Sequence, residues 1–439
     1  MGGRLAVDIG GTFTDLVGLD ERTGDLILAK VPTTPIDFAE GVLDCLGRTS
    51  LEMSKVVYFV HGSTVVINTI LQRKGAKTAL LTTKGFRDVM EIQRGNRPDV
   101  YNFDYQKPES LVPRHLRFEV DERMESQGRV RRHLKERDVV EALRKCKRHG
   151  VRSIAVCLIN SYSNPMHEVK CAELIKSVSP EVSVTISSDL TREWREYERT
   201  STAVMNAYVQ PVVKEYLSSM EGGLNERGLV AKKHIMQSNG GIISFDEARN
   251  TPLQMVESGP VGGIIAAAWV SKAIGEKNVI TLDIGGTTAK TTLIDNGMIR
   301  TTDQYEVEAT RYYSGYPLKI PVVDIVEIGA GGGSIAWVDQ GGSVHVGPQS
   351  AGASPGPACY GKGGTEPTVT DASVLLGRIN PDYFLGGEMR LDKQRAVDSV
   401  NKICKKLRTE LVPTALGILT IVNNNMVNAI KLISVRRGY

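Results

Sequence analysis

The segment Val7-Asp8-Ile9-Gly10-Gly11-Thr12-Phe13-Thr14-Asp15 stands near the start of the chain, and its core returns 275 residues later as Leu282-Asp283-Ile284-Gly285-Gly286-Thr287-Thr288. Each copy follows an apolar run (Leu5 to Val7; Val279 to Leu282) and precedes a second strand-like run (Leu16 to Leu19; Thr291 to Ile294). That pattern predicts strand, glycine turn, strand: a hairpin whose tip carries too little side chain to obstruct a ligand. Glycines there let backbone N–H groups converge on an anion, and a threonine hydroxyl adds a donor. An aspartate at the strand end, beside phosphates, suits a hydrated Mg²⁺. One Gly-Gly-Thr turn says little. A second Asp-x-Gly-Gly-Thr arises by chance in roughly one or two such chains per hundred, and matched flanks lower that further. Two phosphate hairpins, one per lobe, are therefore expected to close on one nucleotide. Asp8 and Asp283 would hold Mg²⁺ and position the nucleophile; Gly10, Gly11, Thr12, Thr14, Gly285, Gly286 and Thr287 would hold phosphates.

With 439 residues the chain has length for two or three domains with sizeable cores. Its 54 basic and 50 acidic residues leave +4, too mild a balance to imply nucleic acid. Six cysteines are scattered without a Cys-x-x-Cys pair, which fits a reducing, cytoplasmic setting and argues against a disulfide framework or zinc knuckle. The chain enters a strand almost at once, leaving no room for a signal peptide. The run Val261 to Val270 is too short to span a bilayer and reads as a core helix. No membrane partner is expected.

Between the hairpins, strands alternate with helices, giving an α/β half with a largely parallel sheet. Val56 to Val60 reads as a buried strand delivering His61-Gly62-Ser63-Thr64 at the mouth of a helix, a natural anion or carbonyl site. Residues 92–113, with Gln93, Arg94, Tyr101, Phe103 and Tyr105, form a long aperiodic loop of the kind that is often functional. Phe118 to Val120 with the turn Ser126-Gln127-Gly128 suggests a further hairpin. Arg192 to Leu217 reads as a long helix, kinked near Pro211, joining the two halves. In the second half Gly329-Ala330-Gly331-Gly332-Gly333 places four glycines in five positions, a backbone suited to close approach, and Gly331 and Gly332 join the phosphate set. The loop Gly347 to Gly361 mixes stiffening prolines with permissive glycines and looks shaped. Cys359 within it has no histidine near in sequence and reads as a buried, inert thiol.

With these residues in view the chain resembles the A subunit of the hydantoinase/oxoprolinase family, whose members include N-methylhydantoinase, 5-oxoprolinase and the acetone and acetophenone carboxylases. The resemblance rests on Asp8 to Asp15, His61 to Thr64, Arg195-Glu196-Tyr197-Glu198-Arg199-Thr200-Ser201-Thr202 and Ser238-Asn239-Gly240-Gly241. It rests also on Asp283 to Lys290, Gly329 to Ser334, Gly347 to Gly361 and Thr368-Val369-Thr370-Asp371-Ala372. It implies a two-lobed actin/hexokinase/Hsp70-like ATPase fold with duplicated phosphate hairpins, divided here as 1–190 and 191–439, and short at the C-terminus. The implied chemistry uses ATP and Mg²⁺ to phosphorylate the carbonyl oxygen of a cyclic amide, which abolishes amide resonance and opens the ring to water. His61 then falls among the catalytic residues, and Ser63, Thr64 and Arg94 among those facing the substrate. The implied partners are a second, B-type subunit and a polypeptide supplying the C-terminal region, where the family carries its adenosine-binding turn. Three rivals remain at this point: a ketone carboxylase subunit, a small-molecule kinase, and a non-catalytic assembly subunit. His61-Gly62-Ser63-Thr64 departs from the family pattern by a Ser in place of Thr, which keeps the hydroxyl.

Overall fold

A computed structural model describes residues 2–10, 13–34, 38–49, 51–95, 100–309 and 314–439. Contact density divides the chain into two interleaved units. One comprises Met1–Glu52, Gly259–Arg300 and Val323–Tyr439; the other comprises Met53–Ser258 and Thr301–Val322. Strands and helices mix in both, an α/β fold.

In the first unit Gly3–Ile9 pairs antiparallel with Phe13–Asp20, and that strand with Leu26–Pro32. Alternation sets the faces: Leu5, Val7, Ile9 and Leu16 are buried, while Arg4, Ala6 and Asp8 are exposed, as a sheet with one covered side requires. Each of those four side chains contributes about 1.5–3 kcal/mol by its burial. Helix Phe38–Gly47 covers that side through Ala39, Val42, Cys45 and Leu46. The second hairpin pairs Val279–Ile284 with Ala289–Asp295, whose other edge takes Val326–Ile328. Behind it Ala289, Ala330 and Ala336 pack with Val400, Ile418, Leu419 and Val422. The last three lie on helix Leu411–Ile433, which is long and apolar enough to cross a bilayer. Asn423, Asn424, Asn425 and Asn428 interrupt its middle, and each is costly in lipid. Its other face packs on strands 289–295 and 326–328 and on helices 369–375 and 393–407. One face of it, with Ala415, Ile418, Leu419, Val422 and Met426, belongs to the core of this unit.

The second unit holds a parallel sheet in the order Ser183–Ile186, Ser153–Cys157, Thr78–Thr83, Arg117–Val120. Arg117–Val120 is thus an edge strand of this sheet, and the hairpin expected there forms one step later, between Arg123–Met124 and Val130–Arg132. Residues 84–116 are long enough for the parallel crossover, which lets the strand complete the sheet. Val56–Ser63 pairs parallel with Lys233–Met236, which pairs antiparallel with Ile242–Ser244. Helix Glu196–Glu226 continues through Pro211 and lies wholly inside this unit, against strands 153–157 and 183–186, so it is an internal spine and not a link between halves.

The Arg195–Thr202 motif opens that helix. Arg199 is buried and donates to the Leu158 carbonyl and the Ser187 hydroxyl. Glu168, 3.6 Å from the guanidinium, accepts from the Leu158 and Ser188 N–H groups and from the Ser161 and Ser187 hydroxyls. Removing one member of such a buried pair costs about 3–5 kcal/mol. This part of the motif holds helix and sheet together.

Candidate functional site

The sequence repeat is a structural repeat. Gly10 N–H donates to the Phe13 carbonyl at 2.9 Å, and Gly285 N–H donates to the Thr288 carbonyl at 2.9 Å. Asp8 stands opposite Asp15 and Ile9 opposite Thr14; in the second copy Asp283 stands opposite Lys290 and Ile284 opposite Ala289. Turn length and register are therefore the same, and both hairpins belong to the first unit. The first aspartate feels the charge of the second. The Asp8 carboxyl is pushed up to about 6 by burial first, then by the charge of Asp15 and of Asp283, against the pull of Lys290 and Lys30. Asp8 nonetheless lies on the exposed face of its strand. A carboxyl that solvent reaches, yet that protein atoms crowd, sits in a recess.

Across the strands the two copies carry opposite charge patterns. Next to Asp8 comes Asp15, then Lys30, whose ammonium meets Asp15 at 2.6 Å. Next to Asp283 comes Lys290, then Glu327, 3.5 Å from that ammonium. One aspartate thus has an acid for its cross-strand neighbour and the other a base. Asp15 and Lys290 were quoted in the motifs without a role; the signal for one was position seven after each aspartate.

At the second tip Gly285, Gly286 and Thr287 are exposed, and among the described residues nothing engages the N–H groups of Gly286 and Thr287 or the Thr287 hydroxyl. Those donors suit an anion. Gly331 and Gly332 are occupied differently. Gly332 N–H donates to the Gly285 carbonyl at 3.0 Å, Gly333 N–H to the Gly286 carbonyl at 2.6 Å, and Gly331 N–H to Ser334 Oγ at 2.8 Å. In this arrangement the glycine loop braces the hairpin turn, and the amides of Gly331 and Gly332 do not face an anion. The approach needs glycine: a Cβ on Gly331 would stand 2.6 Å from the Gly285 oxygen. Thr370 ties the loop in turn through its N–H and hydroxyl to the Gly332 carbonyl, each at 2.8 Å.

In the first hairpin Gly11 and Thr12 lie outside the described residues. Gly10 spends its N–H on the turn, and its carbonyl accepts from the Thr33 hydroxyl at 2.9 Å. Thr14 is fully buried, on the face away from Asp8, with its hydroxyl 3.4 Å from that of Thr33. It packs the interior.

His61, Ser63 and Thr64 are in the second unit. His61 is buried with Nε2 2.6 Å from the Tyr216 hydroxyl. Ser63 is buried too; its N–H donates to Ser258 Oγ, which donates back to the Ser63 carbonyl. Its own Oγ accepts from Val65 N–H, and Thr64 Oγ1 accepts from Asn68. His61 and Ser63 are turned into protein, and Thr64 is half-buried. Arg94 instead lines a cavity of about 500 Å³, where it clasps Glu198 through two donors.

Among the described residues no group of three or more His, Cys, Asp or Glu could hold a metal alone. Two reachable, mutually repelling carboxylates fit a Mg²⁺ whose remaining ligands are water and phosphate. All six cysteines are free and buried, and burial raises Cys359 well above its ordinary range, with Asp371 adding to it, as an inert thiol requires.

Two family models match the chain: the hydantoinase/oxoprolinase N-terminal region over residues 4–179 and hydantoinase/oxoprolinase over residues 199–439. An uncharacterized protein of Methanocaldococcus jannaschii is 40% identical over 448 residues, covering 100% of this chain and 66% of its own length. The caprolactamase subunit alpha of Pseudomonas jessenii is 37% identical over 447 residues, covering 99% and 63%. The crystal structure of that ATP-dependent caprolactamase matches with a TM-score of 0.81 at 36% identity, over 99% of this chain and 64% of that one. A nucleotide-free structure of acetone carboxylase matches with a TM-score of 0.84 at 28% identity, over 100% and 64%. The chain spans somewhat under two thirds of the length of these relatives.

Proposed function

Since the chain belongs to the hydantoinase/oxoprolinase family, we propose that it is the nucleotide-binding subunit of an ATP-dependent enzyme opening a cyclic amide. The observation that carries this reading is the pair of same-register hairpins whose aspartates interact within one unit. In it Asp8 and Asp283 hold Mg²⁺, and the free donors of Gly286 and Thr287 take phosphate oxygens. Bound ATP supplies the phosphoryl group that turns the amide carbonyl oxygen into part of a leaving group. Lys290, beside Asp283, offsets negative charge where phosphate crowds that carboxylate, while burial and the charge of Asp15 and Asp283 raise the Asp8 carboxyl. The ATPase-type fold, with both hairpins in one unit and not one on either side of a boundary at 190/191, the B-type partner subunit and a reducing, cytoplasmic setting belong to the same proposal.

The test is ADP release by the chain with its partner subunit, on addition of hydantoin, 5-oxoproline or ε-caprolactam. Ring-dependent release is expected, and Asp8→Asn and Asp283→Asn should each abolish it while the protein stays folded. The acetone carboxylase match favours a second reading, in which the acceptor is an enolate oxygen. Release that needs bicarbonate and a ketone, and ignores all three rings, would select it.

A further inference from the structure

The cavity in the second unit has a charge pattern that calls for a ligand. Its wall comes from four separated segments: the loop after residue 92, the start of helix Glu196–Glu226, strand Tyr305–Val307 with the turn before it, and residues 314–319. Among the described residues six charged side chains line it. Arg94 is satisfied by Glu198, and Lys319 by Glu193 at 3.0 Å and Asp303 at 3.5 Å. That leaves Arg195 and Glu306, which enter no ion pair among the described residues. Arg195 is held with a left-handed backbone, φ 83°, and its guanidinium lies 5.0 Å from the Trp194 ring centre. Such a conformation in a non-glycine residue is costly, and it concentrates at ligand sites. Glu306 is raised above its ordinary range by burial first and then by the nearby charge of Glu198, so a donor brought to it would be rewarded.

Among the described residues one unspent cation and one unspent carboxylate, beside charges that are already paired, suit a ligand with an acceptor and a donor. Three tyrosine rings, from residues 105, 197 and 305, add flat apolar area to a wall that also carries Gln93, Gln304 and Ser314. Open-chain amides are trans, with N–H and carbonyl on opposite sides. A small ring forces them onto one edge. We propose that this cavity is the recognition site for the cis-amide edge of a small ring, its N–H donating to Glu306 and its carbonyl accepting from Arg195. The proposal rests on the cyclic-amide reading above and adds the place of binding. At about 500 Å³ the cavity is within the range of small-ligand sites and exceeds any one five- to seven-membered ring.

Trp194 reports on the site directly. In a full-length chain carrying Trp269→Phe and Trp337→Phe it is the sole tryptophan. Titration with ε-caprolactam or hydantoin should change its emission saturably. Glu306→Leu and Arg195→Asn should each weaken that binding by roughly tenfold or more, the worth of one charge-assisted hydrogen bond, and Glu306→Gln should recover part of it. Nucleotide binding by calorimetry should be unmoved in all three. Absence of saturation, equal affinity in the variants, or tighter binding of the ring-opened 6-aminohexanoate than of ε-caprolactam would overturn the proposal. Ring-dependent ADP release with a KM indifferent to Glu306→Leu would sink it while sparing the proposed activity. Saturable binding lost in Glu306→Leu, with no ring stimulating ADP release, would spare the cavity and sink the activity.

Discussion

Asp8 and Asp283 occupy equivalent places, yet their neighbours treat them differently, and the difference is testable by pH. Asp8 has a folded-state carboxyl near 6 against an ordinary 3.8. The folded chain therefore binds that proton more tightly than the unfolded chain, and ionising it costs stability as pH rises from about 4 to about 6. Asp8→Asn removes the cost. The variant should melt above the parent at pH 7 to 8, and the gain should vanish near pH 4. Melting curves across that range decide it, and a gain that persists at pH 4 would mean that the carboxylate is not the cause. Lys30 and Lys290 oppose the rise, so Lys290→Met should push the Asp8 carboxyl higher, visible in the same melts as a wider gap between parent and Asp8→Asn. At this scale the two aspartates are legible in the sequence because the repeat that marks them is local. The burial of Thr14 and His61 is not, since it follows from strand parity and from the contact with Tyr216.

The glycine-rich stretches act as elements that stack backbone on backbone. Asp371 begins the series: it is buried and accepts from the N–H groups of Ala358, Cys359 and Thr368 and from the Thr368 hydroxyl, while the Thr368 side chain completes a capping box. The short helix so capped presents Thr370 to the Gly332 carbonyl, and the loop around Gly332 holds the turn at Gly285 and Gly286. Asp371→Ala strands several buried donors and should cost about 3 kcal/mol or more, read as a lowered denaturant midpoint; Asp371→Asn, with one acceptor oxygen kept, should fall between. Gly331→Ala places a methyl against the Gly285 carbonyl. It should cost about 1–3 kcal/mol by overpacking and weaken nucleotide binding, since the displaced turn carries the free donors. Undisturbed nucleotide affinity in a destabilised Gly331→Ala would separate the brace from the site. No count of glycines foretells which amides are already spent, because for Gly332 and Gly333 that is fixed by a turn 332 − 285 = 47 residues earlier in the chain.

For the whole molecule, what could be read early was whatever one stretch of chain encodes by itself: the hairpins, the alternation of strand and helix, the buried cysteines. The interleaving of the two units and the cavity escaped, since each assembles segments that sequence keeps far apart, as Arg94, Arg195, Glu306 and Lys319 illustrate. One property of the assembled chain carries a last prediction. Among the described residues strand Val279–Ile284 has a single sheet partner, and it exposes Ile280, Leu282 and Ile284 on one side, opposite the side that bears Asp283. An apolar edge strand with free N–H and carbonyl groups is a template for another chain. The isolated protein should therefore associate from roughly micromolar concentration upward. Leu282→Lys puts a charge on that edge without touching the Asp283 face, so sedimentation velocity should show the association reduced while the melting temperature and nucleotide affinity hold. If association is unchanged, another surface drives it, and if nucleotide affinity falls as well, the strand's two faces are not independent in the way its alternation implies.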